Sequence, residues 1–130
     1  MLIRAANDEI LRIHAPLVAN RRIATHPVEV GGRSLAGGDR VTVIWASANR
    51  DEAVFGVPDE FRLDRDPTTN LRYGASIHVC PGATLARLEL RVLVEELLAR
   101  TSHVALAPWA VPVRATHPAG GFASLPPTIT

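Results

Sequence analysis

The sequence predicts a mixed α and β fold in one domain over residues 1–130, with two main helices, small antiparallel hairpins and a long irregular connection. Three observations carry that prediction. Apolar residues recur near the helical period in residues 2–13 and again in residues 83–100. Branched residues between positions 22 and 48 are punctuated by Gly-Gly pairs, as short hairpins require. Residues 47–73 hold no persistent period. With 130 residues, 47% apolar and 21% charged, the chain is long enough to bury a core and too apolar for disorder.

In the first helix Leu2, Ile3, Ala6, Ile10, Leu11 and Ile13 recur near the helical period. Pro16 ends it and pushes Ala15 toward extended geometry. Met1 leads directly into the pattern, so no capping residue stands ahead of it. Val28-Glu29-Val30 then runs into Gly31-Gly32, a pair suited to the positive dihedrals of a tight hairpin. Gly37-Gly38-Asp39 is a second turn, followed by the strand Val41-Thr42-Val43-Ile44-Trp45. Asn49, Asp51, Gly56, Pro58, Asp64, Asp66, Pro67 and Asn70 punctuate the connection that follows. Irregular stretches of that length are uncommon inside compact domains and often functional.

The second helix, residues 83–100, carries two polar rows, Arg87, Arg91, Glu95 and Glu89, Glu96, Arg100. They separate two apolar stripes: Leu90, Leu93, Val94 and Leu97 on one side, Leu85, Leu88 and Val92 on the other. Two stripes predict packing partners on two sides. Residues 101–130, with five prolines, read as short strands and turns.

Fourteen basic residues, all arginine, against thirteen acidic leave a formal charge of +1. That balance calls for neither nucleic acid nor a membrane surface as partner. A single cysteine, Cys80, excludes a disulfide framework and a multi-cysteine zinc site. No apolar stretch reaches the length of a membrane span, and Arg4, Asp8 and Glu9 interrupt any signal-peptide pattern. A cytoplasmic setting is expected.

The informative run is Tyr73-Gly74-Ala75-Ser76-Ile77-His78-Val79-Cys80-Pro81-Gly82, which feeds the two-striped helix. A lone cysteine in a small protein is most often a buried apolar filler. Here the residue sits at the mouth of a helix, whose positive end favours thiolate. Gly74 and Gly82 let backbone approach a flat ligand closely, and Pro81 suits the first helical position. A thiolate in such a loop, with no second cysteine, suits an axial heme ligand.

This run resembles the heme-ligand signature of the cytochrome P-450 family, Phe-Gly-x-Gly-x-His-x-Cys-x-Gly. Ala83-Thr84-Leu85-Ala86-Arg87-Leu88-Glu89 is similar to its continuation into the next helix. Glu9-Ile10-Leu11-Arg12 resembles the family's Glu-x-x-Arg helix motif, and Ala48-Asn49-Arg50-Asp51 the bacterial run after the central strands. Pro58-Asp59-Glu60-Phe61 with Arg65 looks like the meander, and residues 121–126 like the terminal hairpin.

The resemblance implies the C-terminal part of a mainly α parent fold, binding heme b (iron protoporphyrin IX). Cys80 would be the axial ligand of the iron, and His78 and Arg22 would hold the propionates, with Tyr73, Gly74 and Gly82 completing the cofactor site. Arg21 competes with Arg22, and the Arg-x-Ala spacing to Ala24 favours Arg22. Glu9, Arg12 and Arg65 would form a buried ion-pair cluster; on spacing alone Glu9 and Arg12 read as an exposed helix pair. Leu17, Val18, Ala19 and Asn20, and residues near Pro118, correspond to substrate-facing segments or, on the bland reading, to loop packing. Arg62, Arg72 and Arg91 are candidates for a basic face that meets a ferredoxin or flavodoxin-type electron donor, or else a scattered solvated surface. The implied activity is heme-thiolate monooxygenation of a small organic substrate.

Three departures stand out. Tyr73 replaces Phe, Ser76 replaces the second loop glycine, and Pro81 removes one N–H that could donate to the sulfur. A family member is far longer, and the distal acid–alcohol pair has no counterpart, so no catalytic residue is assigned in this chain. The expectation is a C-terminal fragment or truncated reading frame, completed by a missing N-terminal portion or a second chain. The alternative is a non-catalytic heme-binding or partner-binding module.

Overall fold

The computed structural model describes residues 2–130; the uncapped start read at Met1 lies outside them. Helix α1 (Leu2–His14) is followed by β1 (Ala19–Ile23), the hairpin β2 (Val28–Val30) and β3 (Arg33–Leu35), then β4 (Arg40–Ile44). Two one-turn helices, α2 (Trp45–Ala48) and α3 (Glu52–Phe55), precede the long helix α4 (Ala83–Arg100). Four short strands close the chain: β5 (Val104–Leu106), β6 (Val113–Arg114), β7 (Phe122–Ser124) and β8 (Pro127–Ile129). The strands form four two-stranded antiparallel sheets, β1–β4, β2–β3, β5–β8 and β6–β7. Gly31 and Gly32 at φ 57° and 76° make the β2–β3 turn, a conformation that side chains resist.

The two long helices and the Gly31-Gly32 hairpin lie where the pattern predicts them, whereas residues 121–126 form no hairpin of their own: β7 pairs with β6 and β8 with β5. The strand expected through Trp45 stops at Ile44, because Trp45 opens α2. The connection also holds more local order than its punctuation suggests. Asp51 accepts from the Ala53 N–H at 2.9 Å and starts α3, and Asp66 accepts from the Thr68 N–H at 2.9 Å to start a 3-10 turn. Aspartate before a short turn is a cap as much as a breaker.

The expected apolar core is small. Among the described residues only Ala15, Ala19, Phe55, Ala83 and Ala107 are buried apolar side chains, while Asp8, Glu9, Arg12 and Asn49 are buried as well. The two stripes of α4 do not both find partners. Leu90, Val94 and Leu97 are half-buried, whereas Leu85, Leu88, Val92 and Leu93 are exposed.

A polar cluster fills the place of a large core. Arg12 Nε and Nη2 donate to the two oxygens of Glu9, both at 2.8 Å, and the side chains are 1% and 4% exposed. Arg12 also donates to the carbonyls of Asn49 at 2.7 Å and Pro58 at 2.6 Å. Arg65 Nε donates to Glu9 at 2.9 Å, and its other nitrogens donate to the carbonyls of Phe55, Val57 and Glu60. The Arg12 guanidinium carbon lies 4.9 Å over the Phe55 ring. Withdrawing such charges from water is costly and is offset only when nearly every donor is used, as here. Burial pushes Glu9 upward, but the Arg12 bond, the Arg62 backbone N–H and the Arg65 bond outweigh it and hold the carboxyl below its ordinary range.

Arg12→Leu is expected to cost about 3–5 kcal/mol, because it leaves the buried Glu9 carboxylate under-paired and the Asn49 and Pro58 carbonyls without their donor, and urea unfolding measures it. Unfolded Glu9 takes up its proton near pH ~4.3 and folded Glu9 only lower. Its contribution is therefore complete above that range and is lost as pH falls through the folded value. Glu9→Gln should flatten the acid limb of a stability–pH curve measured between about pH 6 and 3.

Candidate functional site

The loop between the connection and α4 is shaped by its own backbone. Gly74 has φ 80°, and a Cβ there would meet the His78 carbonyl oxygen at 2.7 Å. Its missing side chain is thus required by the loop itself, whatever else approaches the backbone there. Gly82 is different. A Cβ there would meet only Cys80 Sγ, at 3.8 Å.

Ser76, which stands where the signature has its second loop glycine, takes φ 53°, a conformation that side chains resist. It opens a 3-10 turn, Ser76–His78. The Cys80 N–H donates to the Tyr73 carbonyl at 2.7 Å and closes the loop, and the Ala83 N–H donates to the Cys80 carbonyl at 3.1 Å. Gly82 is the N-cap of α4, so Pro81 lies ahead of the cap and outside the first helical position. Cys80 is exposed.

Leu17, Asn20, Arg22, Trp45, Leu71, Arg72, Tyr73, Gly74, His78 and Cys80 line one cavity of ≈ 240 Å³. Cys80, His78, Arg22, Tyr73 and Gly74 were all named from the sequence, and the fold brings them together from two separate segments, β1 and the loop ahead of α4. Strand alternation decides between the neighbouring arginines. Asn20 and Arg22 are half-buried on one face of β1, and Arg21 and Ile23 are exposed on the other. Val18 is held by backbone bonds instead, donating to the Pro118 carbonyl at 3.0 Å, and Ala19 is buried. Leu17 bridges to Ala119, so the two expected substrate-facing segments lie side by side.

Glu9, Arg12 and Arg65 line a separate cavity of ≈ 380 Å³, where their charges are already paired with one another. The cavity at Cys80 is chemically open by contrast. Asn20 Oδ1, Arg72 Nε and Tyr73 OH belong to its lining and are buried without a hydrogen-bond partner. One thiol, two guanidiniums and one imidazole, with unpaired polar atoms around them, fit a group that offers a thiophilic metal and peripheral carboxylates.

Sequence reasoning missed three side chains here. Asp8 forms an ion pair with Arg72 at 2.6 Å. Asn49 is fully buried; its Oδ1 accepts from the Leu71 N–H at 2.8 Å. Asn70 donates to the Asp8 carbonyl at 3.0 Å and accepts from the Arg72 N–H at 3.0 Å. The Arg72 side chain is 2% exposed, so it takes no part in the basic outer face proposed for it. Arg62 and Arg91 are exposed and paired with Asp64 and Glu95. The only sequence signal for the Asp8 pair was a carboxylate adjoining the Glu9 motif.

The family model for cytochrome P-450 matches residues 1–128. The chain belongs to the cytochrome P-450 family. A steroid C26-monooxygenase of Mycolicibacterium smegmatis is 38% identical over 130 residues, covering 99% of this chain and 32% of the relative. Cytochrome P-450-terp of Pseudomonas sp is 42% identical over 106 residues, covering 82% of this chain and 25% of the relative. A solved structure of an unusual cytochrome P-450-like monooxygenase of microbial secondary metabolism superposes with TM-score 0.92 at 34% identity, over 99% of this chain and 35% of that one. The chain therefore spans a quarter to about a third of the cytochromes P-450 it matches.

Gly74→Ala is expected to lower stability by about 2 kcal/mol or more, from backbone overlap and a disfavoured φ. Ser76→Gly should leave stability unchanged or raise it by up to about 1 kcal/mol, since strain relief competes with unfolded-state entropy. Paired urea titrations check the order, and the reverse order contradicts the loop geometry.

Proposed function

We propose that this chain supplies the proximal, heme-thiolate side of a cytochrome P-450 monooxygenase site. The single observation that carries the reading is the cavity shared by Cys80, His78 and Arg22. In this reading Cys80 would ligate the iron of heme b, and His78 and Arg22 would hold its carboxylates. Tyr73, Gly74 and Gly82 complete the cofactor site, and Leu17, Val18, Ala19 and Asn20 belong to the substrate side. Bound there, heme supplies the activation of O2 for insertion of one oxygen atom into a small organic substrate.

The chain's own residues do the rest. Cys80 donates electron density as thiolate; Pro81, lacking an N–H, leaves its sulfur one hydrogen bond poorer and more strongly donating. The Arg22 guanidinium and the His78 imidazole fix orientation through charge-assisted hydrogen bonds. The polar cluster around Glu9 and Arg12 keeps α1 and the connection in place beneath the loop. Electrons come from a ferredoxin or flavodoxin-type protein, and the setting is cytoplasmic. Turnover is assigned to the whole fold, of which this chain is about a third of the length. Among the described residues no helix is long and apolar enough to cross a membrane.

A second reading, a heme-binding or partner-binding module without turnover, is favoured by the exposed apolar side of α4. Leu85, Leu88, Val92 and Leu93 there are 45–63% exposed, an apolar surface suited to a protein partner. Concentration-dependent association in sedimentation, without substrate oxidation in the presence of peroxide, favours this reading over the first.

Titration of the chain with heme, followed by absorbance, should give stoichiometric binding that Cys80→Ala abolishes. His78→Ala and Arg22→Ala should each weaken it roughly ten-fold, the worth of one charge-assisted hydrogen bond. Undiminished binding by Cys80→Ala contradicts the reading. In the heme-loaded chain Pro81→Ala should raise the reduction potential; an unchanged or lower value removes the argument about the missing N–H.

A further inference from the structure

We infer that Asp8, Arg72 and Arg87 are positioning residues for Cys80, acting through Tyr73 and coupling both long helices to the thiol loop. The inference rests on the heme-thiolate reading only for what the loop is positioned to hold. Its geometry is independent of that reading.

The chain of contacts begins on α1. Asp8 Oδ1 lies 2.6 Å from Arg72 Nη2, and the two side chains are 9% and 2% exposed. Asn70 fixes the pair from both sides, donating to the Asp8 carbonyl and accepting from the Arg72 N–H, each at 3.0 Å. The Arg72 guanidinium carbon lies over the Tyr73 ring, 4.9 Å from its centroid. Arg87, one turn into α4, brings a second guanidinium over the same ring at 4.8 Å. The Tyr73 carbonyl then accepts the Cys80 N–H at 2.7 Å. Three contacts in series thus lead from helix α1 to the amide of the cysteine, the first braced by the two Asn70 bonds, and a further contact comes from α4.

The electrostatics are consistent with a held ring. Two cations against one aromatic ring repel each other, and Asp8 offsets that repulsion by pairing with Arg72. Burial draws the Arg72 pKa down, Asp8 opposes that, and Arg87 adds to it. Among the described residues Arg87 forms no ion pair, and its Nε is buried without a partner. The face of Tyr73 is therefore its principal favourable contact, since a ring quadrupole attracts a cation most strongly where water is excluded.

The loop needs such an anchor. Ser76 is strained at φ 53°. Besides the Tyr73 bond, the backbone bonds of residues 74–80 are Gly74 N–H to the Leu71 carbonyl at 2.9 Å, His78 N–H to the Ala75 carbonyl at 3.1 Å, Val79 N–H to the Ser76 carbonyl at 3.2 Å and Ala83 N–H to the Cys80 carbonyl at 3.1 Å, and none of them holds the Cys80 amide. Without a fixed Tyr73 the strain is free to relax by moving Cys80.

The test uses the heme-free chain and reads hydrogen exchange of the Cys80 amide against that of Leu90 within α4, with the iodoacetamide alkylation rate of Cys80 alongside. Arg72→Leu and Arg87→Leu should each speed Cys80 exchange roughly five-fold relative to Leu90, the effect of losing one buried cation–π contact, and Tyr73→Leu, which loses both, should speed it more. Arg87→Leu breaks no ion pair, so it keeps the test informative if Arg72→Leu fails to fold. Tyr73→Phe, which keeps the ring, should behave as wild type, and Arg87→Lys should restore part of the protection. Unchanged Cys80 exchange in the leucine variants, or an equal rise at Leu90, overturns the inference. Loss of heme binding in the wild type with the five-fold effect intact removes the heme reading and leaves the positioning role standing.

Discussion

Arg12 and Glu9 stand one turn apart on α1, and their joint burial determines where the long connection can run. A guanidinium that gives two bonds to one carboxylate and two more to backbone carbonyls at Asn49 and Pro58 cannot be placed anywhere else at comparable cost. Arg65 reaches the same carboxylate from the far end of the connection and gathers three carbonyls on its way. Segments without periodic structure leave many carbonyls unpaired, and those carbonyls must be satisfied when they are turned inward. Two arginines do that here. The interior is consequently held by charge and hydrogen bonding, with Phe55 as its one large buried apolar side chain among the described residues.

The Cys80 cavity depends on that arrangement. Asp8, the neighbour of Glu9, holds Arg72, and Asn49, whose carbonyl accepts from Arg12, turns its side chain to Leu71. Both arms reach the residues just before the thiol loop. The β1–β4 sheet brings Arg22 and Asn20 to the other wall, and α2 follows β4 directly to add Trp45. The accessible surface, 9391 Å², exceeds the roughly 6,700 Å² of a compact monomer of this mass, in keeping with the bare apolar side of α4.

Much of this was legible in the sequence, for identifiable reasons. The bounds of α4 follow from an uninterrupted period, and the β2–β3 hairpin from Gly31-Gly32. The Cys80 cavity was readable because its residues sit in short ordered motifs, and the Arg-x-Ala spacing to Ala24 favoured Arg22, the arginine that β1 turns toward the cavity. The Asp8–Arg72 pair was not readable. Its partners lie far apart in the chain, and an arginine on a polar loop looks like surface until a carboxylate is brought to it. Asn49 and Asn70 resembled turn residues, because amides that pair with distant backbone carry the same letters as amides that break helices. The two stripes of α4 were read correctly as apolar, but covering them takes surface beyond what α1 offers.

The central claim, that Cys80 is poised as a heme-thiolate ligand in this chain, is tested most directly by one spectrum. The purified chain loaded with heme and reduced under carbon monoxide should show a strongly red-shifted Soret band, absent from the Cys80→Ala variant treated identically. The same band in both proteins, or an unshifted band in the wild type, contradicts the account.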